Sequence, residues 1–303
     1  MSQSLRKKLA IVIPYYKIDF FEETIKSVAA QSNSDFALYI GNDKSQNDPL
    51  PIISKYLQEE DYHYFNYTDN LGGENPALQW ERILNEINEE WFQVLGDDDI
   101  IADNFVQEFY NSLPYLEEKQ INSIKFVHEW IDENNETLEV CDYHTDILDS
   151  IDFVVRKYRG EIKSSLSENI FKTKMYRQYG FEKIPLAWGS DEIAILTFAD
   201  YKKIFYNRNT KVGVRISAQS ISGNEELDGK KEYAKNIFRE KLLIRHSAHF
   251  PKVFVKHLIR EYLAYCKEFK TKANNQVVFS TFTKMGIFRS MKFLFTIFSI
   301  NKA

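Results

Sequence analysis

Three consecutive aspartates, Asp97 to Asp99, follow the apolar run Trp91 to Leu95 in the stretch "EWFQVLGDDDII". Adjacent carboxylates repel one another and are costly to desolvate, so such a triplet belongs in open water or beside a cation. Two other acidic positions invite the same scrutiny: Asp43 in the polar turn "GNDKS", and Asp191 with its neighbour Glu192 in "AWGSDEIAIL". A carboxylate can hold a divalent cation, or it can take a proton from an attacking hydroxyl within hydrogen-bond reach. Each position also has a plain structural reading, a solvated turn for the triplet and a helix cap for Asp191 just after Gly189. The choice depends on whether the fold brings these residues together.

The elements that would position them alternate. Leu9 to Ile13 is a continuous apolar run with β-branched residues, the mark of a strand buried on both faces. In "DFFEETIKSVAAQ", Asp19 and Glu22 have capping-box spacing, and Phe21, Ile25 and Val28 fall on one helical face. The strand "FALYIG" runs into the turn "NDKSQNDPLP". A helix is expected over 52–58, then a third strand at "YHYFNY". Asn75 and Pro76 read as N-cap and first residue of a helix whose buried stripe is Ala77, Trp80, Leu84 and Ile87. "WFQVL" is the fourth strand, and it leads into the aspartates. This β-α-β-α-β-α-β order predicts an α/β fold with an open, mostly parallel sheet flanked by helices. Ligands of such sheets bind outside the carboxyl ends of the strands. Right-handed crossovers put "PYYK", "GNDKS" and "GDDD" on that one edge.

Farther along, "SIKFVHEW" is a strand candidate, 132–150 is acidic and irregular, and "SENIFKTKMYRQYGF" reads as a short strand or turn and then a helix. "AWGSDEIAILTFAD" starts another helix, and "KIFYNRNTKVGVRIS" holds one or two strands. From about Lys230 the chain is helical. The expected organisation is an α/β domain over 1–228 and a helical region over 229–303.

The 303 residues suffice for a sizeable core, and 44% hydrophobic with 27% charged residues is ordinary for a globular protein. A net charge of −5 argues against nucleic acid as a partner. Cys141 and Cys266 form no CxxC or zinc pattern and read as reduced, buried thiols. The N-terminal apolar run "LAIVI" is too short for a signal peptide, and no stretch reaches the roughly 18–20 apolar residues of a membrane span. A cytoplasmic location is expected. His246 and His249 have i, i+3 spacing but no accompanying carboxylate motif, so they read as ordinary surface histidines.

A dinucleotide site needs glycines after the first strand, and "PYYK" has none; a Walker loop is likewise absent. What fits the acidic edge is a nucleoside diphosphate met through Mn²⁺ or Mg²⁺. "LAIVIPYYK", "LYIGNDKS", "NLGG" and "FQVLGDDDII", in this order, resemble family 2 glycosyltransferases of the GT-A fold, and "AWGSDEIAIL" resembles the segment that carries their catalytic base. The resemblance spans about residues 8–222.

It implies that Pro14, Tyr15 and Tyr16 hold the nucleotide base, and that Asp43 and Ser45 face uracil and ribose, with Asn42 in place of a first acid. Asn70, Gly72 and Gly73 match a loop near the donor, although the family's following A-R-N is not recognisable in "PALQW". The D-x-D motif aligns two ways. Either Asp97 and Asp99 form the pair, or Gly96 replaces the first acid and Asp98 binds metal. All three are expected to line the site, Asp97 toward the nucleotide-sugar and Asp98 and Asp99 toward the divalent metal. Ser217 stands where the family often has a histidine near that metal. Asp191 matches the base.

The implied function is inverting transfer from a nucleotide diphospho-sugar, UDP-linked, to a hydroxyl of a glycan or lipid-linked acceptor in polysaccharide assembly. Trp188 is placed to stack on an acceptor sugar or to be buried. Two alternatives are a sugar nucleotidyltransferase, which would show G-x-G-x-x-x-R after the first strand, and a non-catalytic scaffold. If the tail from about 279 is helical, Phe288, Met291, Phe295 and Phe298 share a face opposite Arg289 and Lys292. Such a helix suits peripheral membrane contact, packing on its own domain, or a homodimer.

Overall fold

The computed structural model describes residues 7–217, 220–221, 223–277 and 279–280. Apart from residues 279–280, the tail read as a helix from about 279, with Phe288, Met291, Phe295 and Phe298, lies outside them. Two compact units are distinguished: residues 1–183 with 190–227, and Ile184–Gly189 with the chain from Asp228 on.

The first unit begins with β1 (Leu9–Tyr15), α1 (Phe21–Ala29), β2 (Phe36–Asn42), α2 (Leu50–Ile53), β3 (Tyr62–Asn66), α3 (Pro76–Leu84) and β4 (Trp91–Val94). Strands β1 to β4 pair in parallel in the order β3-β2-β1-β4. Leu9 to Ile13 are completely buried, as the unbroken apolar run requires. The capping box expected from Asp19 and Glu22 does not form. Phe20 is the N-cap, and Glu22 instead accepts from Lys55 Nζ at 3.0 Å and Tyr56 Oη at 2.9 Å. The second helix is also shorter and earlier than expected, with Pro51 in its first turn, where a missing N–H is harmless. Asn75 does cap α3, its side chain accepting from the Ala77 amide at 3.0 Å. Trp80 is only partly buried, and Gln79 and Ile83 take the inner face with Ala77 and Leu84.

Beyond β4 come β5 (Ile100–Ile101), α4 (Phe105–Glu118), β6 (Ser123–Ile131), β7 (Thr137–Cys141), β8 (Ile147–Asp149), α5 (Ser150–Tyr158), β9 (Asn169–Lys172), α6 (Thr173–Tyr179), α7 (Ser190–Phe198) and β10 (Lys203–Arg215). The sheet continues β4-β9-β6-β10-β5. Here the pairings are mixed: β9 is antiparallel to both β4 and β6, while β6 and β10 are parallel. The stretch 132–150, read as irregular, contains β7 and β8. Residues Thr137 to Val140 are all exposed, so β7 offers no alternating core signal. Asp132 closes the β6–β7 turn, its Oδ1 accepting from the Asn134 and Glu136 amides at 2.8 Å.

The second unit holds α8 (Asp228–Lys241), a π-helical turn at Leu242–His246 and α9 (Lys252–Glu268). Phe238, Leu242, Phe254, Leu258 and Tyr262 form its interior. Contrary to the surface reading, His246 is buried at 5% exposure, because the π turn directs it inward, whereas His249 is exposed. Both cysteines are free and buried. Among the described residues, no helix is long and apolar enough to cross a membrane.

Candidate active site

Four loops meet at the carboxyl edge of β1, β2 and β4. Asp97 forms the first link, its Oδ2 accepting from the backbone amides of Tyr16 at 2.7 Å and Lys17 at 2.8 Å. Ser45 forms the second, its hydroxyl donating to the Tyr16 carbonyl at 2.6 Å. Asp43 forms the third. Its Oδ1 accepts from the Leu71 amide at 2.9 Å and from Arg82 Nη2 at 2.6 Å, and its Oδ2 accepts from the Gly72 amide at 2.7 Å. A Cβ on residue 72 would lie 2.5 Å from Asp43 Oδ2, so only glycine lets the loop backbone approach this carboxylate. Asn70 Oδ1 accepts from the Gly73 amide and closes the turn.

The two tyrosines of "PYYK" part company. Tyr15 is completely buried, its ring 4.5 Å from that of Phe21 and its hydroxyl donating to the Asn47 carbonyl at 3.0 Å. Tyr16 is 45% exposed and presents its ring at the edge, next to partly buried Pro14.

The acidic triplet is a turn between β4, in the parallel part of the sheet, and β5, which pairs antiparallel with β10. Asp99 points inward at 6% exposure. Its Oδ1 accepts from the Arg215 amide at 2.9 Å, and its Oδ2 accepts from the Ser167 hydroxyl, which in turn takes the Gly96 amide at 3.0 Å. Burial, and then the charge of Asp98, push Asp99 up to about 8 and Asp97 up to about 7, against the hydrogen bonds each accepts. Asp98 is also raised, by burial, with Lys17 and Arg215 opposing. Arg215 Nε donates to the Asp98 backbone carbonyl at 2.9 Å, but among the described residues no side chain or backbone amide of another residue donates to the Asp98 carboxylate, which remains available for a ligand. A Cβ at Gly96 would meet Asp99 Oδ2 at 2.7 Å and Asp98 Oδ1 at 3.1 Å, so the turn has no room for an aspartate there without rearrangement.

Among the described residues, no group of three or more His, Cys, Asp and Glu is placed to hold a metal ion. The residues present nevertheless fit a cation of the Mg²⁺ type, which is commonly held by one or two carboxylates plus substrate phosphates. Three acids crowd one turn with raised pKa values, and one of them keeps its oxygens open. Ser217 is buried, and its hydroxyl has no partner among the described residues.

Asp191 and Glu192 start α7. Lys157 on α5 bridges them, with Nζ 3.2 Å from Asp191 Oδ2 and 3.0 Å from Glu192 Oε1. Several site residues lacked any motif in the sequence: Arg82, which also lies 3.6 Å over the Tyr67 ring, Lys157 and Ser167. Behind them, Lys125 Nζ lies 2.6 Å from Glu168 Oε1, with His128 Nδ1 3.6 Å from the same oxygen, all three side chains fully buried.

The profile described as Glycosyl transferase family 2 matches residues 10–184, more than half of the chain. The chain belongs to glycosyl transferase family 2. No curated protein sequence matches it. Among solved structures it is similar to S. aureus TarS 1–349 in complex with UDP-GlcNAc, at 11% identity and a TM-score of 0.63, covering 97% of this chain and 79% of that one. It is also similar to the mannosyltransferase PcManGT from Pyrobaculum calidifontis in complex with GDP-Man and Mn²⁺, at 12% identity and a TM-score of 0.52, covering 99% and 82%. The fold is therefore that of GT-A glycosyltransferases, and the protein is a nucleotide-sugar glycosyltransferase. The nucleotidyltransferase and scaffold readings are set aside.

Proposed function

We propose that this family 2 enzyme transfers a sugar, with inversion, from a UDP-sugar to a hydroxyl of a glycan or lipid-linked acceptor in polysaccharide assembly. The observation that carries the reading is the convergence of the Tyr16, Ser45, Gly72 and Asp97 loops on one sheet edge, with the open carboxylate of Asp98 among them. The UDP-GlcNAc bound by the TarS neighbour supports the choice of base.

In this reading Tyr16 stacks on the base, and the loops of Ser45 and Asn70 to Gly73 flank the nucleoside. Asp98 would hold the divalent cation, with Asp97 fixing the turn and Asp99 bracing it from behind. When bound, the ion neutralises charge on the departing diphosphate. Asp191 takes the proton of the acceptor hydroxyl as that oxygen attacks the anomeric carbon opposite the leaving group.

The test is a donor screen that follows nucleoside diphosphate release, with and without Mn²⁺, on wild type and Asp191→Asn. Asparagine keeps the shape but cannot take the proton. We expect at least about a 10²-fold fall in turnover with donor affinity retained. A variant that loses thermal stability but keeps its turnover per folded molecule would return Asp191 to a helix-capping role.

A further inference from the structure

Asp191 and Glu192 occupy successive positions in the first turn of α7, and both side chains are mostly buried. One cation lies between them. Lys157 Nζ donates to Asp191 Oδ2 at 3.2 Å and to the Ser164 carbonyl at 2.9 Å, and lies 3.0 Å from Glu192 Oε1. An ammonium has three donors and no acceptor, so these contacts exhaust it and fix its place. The other charged groups acting on the pair are Glu168, ahead of β9, and Lys125 on β6, already committed to Glu168 at 2.6 Å. His128, also on β6, is kept neutral by burial. Lys125 and Glu168 cancel, leaving two carboxylates facing one ammonium. An excess buried negative charge is relieved by binding a proton. Glu192 Oε2, buried and without a hydrogen-bond partner among the described residues, is the oxygen suited to carry it.

We propose that Lys157 is a positioning residue for sugar transfer: it holds Asp191 and Glu192 as a pair sharing one proton, with Asp191 ionised and Glu192 protonated. The proposal rests on the reading of Asp191 as the base. The electrostatics agree with the geometry. Burial, and then the charge of Asp191, push Glu192 up to about 8. Burial alone would raise Asp191 too, but the Lys157 ammonium opposes it, and Asp191 is held below the usual carboxylate range. The base is then in its working form throughout the neutral range. During transfer the acceptor O–H bond breaks and its proton passes to Asp191, which becomes neutral. The oxygen's electron pair forms the new bond to the anomeric carbon, and the old C–O pair leaves with the diphosphate.

The experiment measures kcat/KM between pH 5 and 9.5 for wild type, Lys157→Met, Lys157→Arg and Glu192→Gln. In parallel, the side-chain carboxyl carbons of the full chain are titrated by ¹³C NMR, with Asp191→Asn and Glu192→Gln assigning the two signals. In Lys157→Met the acid limb should move up by at least about one pH unit, a tenfold loss at fixed pH on that limb; Lys157→Arg should restore it. Glu192→Gln should leave the acid limb in place and delete a signal titrating near pH 8. An equal loss in Lys157→Met at every pH, with unchanged carboxyl titrations, overturns the proposal. Should Lys157→Met fail to fold, wild-type NMR decides: both acids titrating near the ordinary value of about 4 would overturn it. A shared proton in a wild-type protein that transfers no sugar from any donor would refute the base reading, and with it a role for Lys157 in transfer, while leaving the charge pair standing.

Discussion

Asp43→Asn separates two roles for one carboxylate. The resemblance makes Asp43 a reader of uracil, yet both of its oxygens are occupied within the fold, and it is 2% exposed. Asparagine can keep its carbonyl oxygen toward Leu71 and Arg82 only by turning its NH₂ toward the Gly72 amide, donor against donor. One hydrogen bond from a backbone amide to a charged acceptor is lost, and the Arg82 pair loses its formal charge. Hydrogen bonds to charged groups contribute about 1.5–3 kcal/mol each. Against this, burial raises the Asp43 pKa despite the amides of Gly72 and Leu71 and the Arg82 guanidinium, so ionised Asp43 carries a desolvation cost that asparagine avoids. A net loss of about 2–3 kcal/mol remains. For a domain of this size, about 2–4 °C accompanies each kcal/mol, so the melting midpoint should fall by about 5–10 °C.

The assay is calorimetric unfolding alongside UDP titration, with Gly72→Ala as a second way to pry the same loop from the same carboxylate. Both variants should melt early and bind UDP weakly. An Asp43→Asn protein with an unchanged midpoint and a specific loss of UDP affinity would refute the reasoning. The carboxylate would then have to be open to the base rather than spent on the loop.

Asp98→Asn should weaken UDP binding in Mn²⁺ by at least about tenfold, about 1.4 kcal/mol, and leave the weak binding in EDTA unchanged; calorimetric titration in the two buffers decides, and equal wild-type affinity in both removes the metal from the scheme. His128 tests the buried cluster: burial, reinforced by Lys125 and opposed by Glu168, pushes its pKa down to about 4. A base whose folded pKa is lowered leaves stability intact above its unfolded pKa of about 6.5 and loses it as pH falls toward 4, which costs about 2 kcal/mol at pH 5. His128→Phe should therefore show a smaller fall in melting midpoint between pH 7 and 5 than wild type; identical slopes would mean that His128 does not titrate in this window.

What the sequence disclosed followed from strong local signals. β1 was plain because five consecutive residues are apolar, and α3 because Asn75 and Pro76 mark its start. The meeting of the Tyr16, Asp43 and Asp97 loops followed from topology, since parallel strands with right-handed crossovers must share a carboxyl edge. Where the signal was weak, the reading stopped. Helix α4 carries Pro114 in its interior, and β7 shows four exposed residues in a row. Position in a motif also did not distinguish Tyr15 from Tyr16. Burial of one ring against Phe21 did.

The partners that organise the acids were hidden for a different reason: they lie far away in sequence and in no repeating register. Asp99 depends on Ser167 and on the Arg215 amide, and Asp191 depends on Lys157. One short stretch connects these two acid sites. Ser164 offers its carbonyl to Lys157, the Ser165 amide donates to Glu168, Glu168 accepts from Lys125, and the Ser167 hydroxyl donates to Asp99. Read alone, "SSLSEN" is an unremarkable polar turn. In the fold, its backbone and hydroxyls brace the carboxylate turn proposed for the diphosphate and the acid pair proposed for the acceptor. Because every one of these contacts is local to 164–168, a shift of this turn would displace the partners of both acid sites together. The two proposed sites thereby share a single structural support.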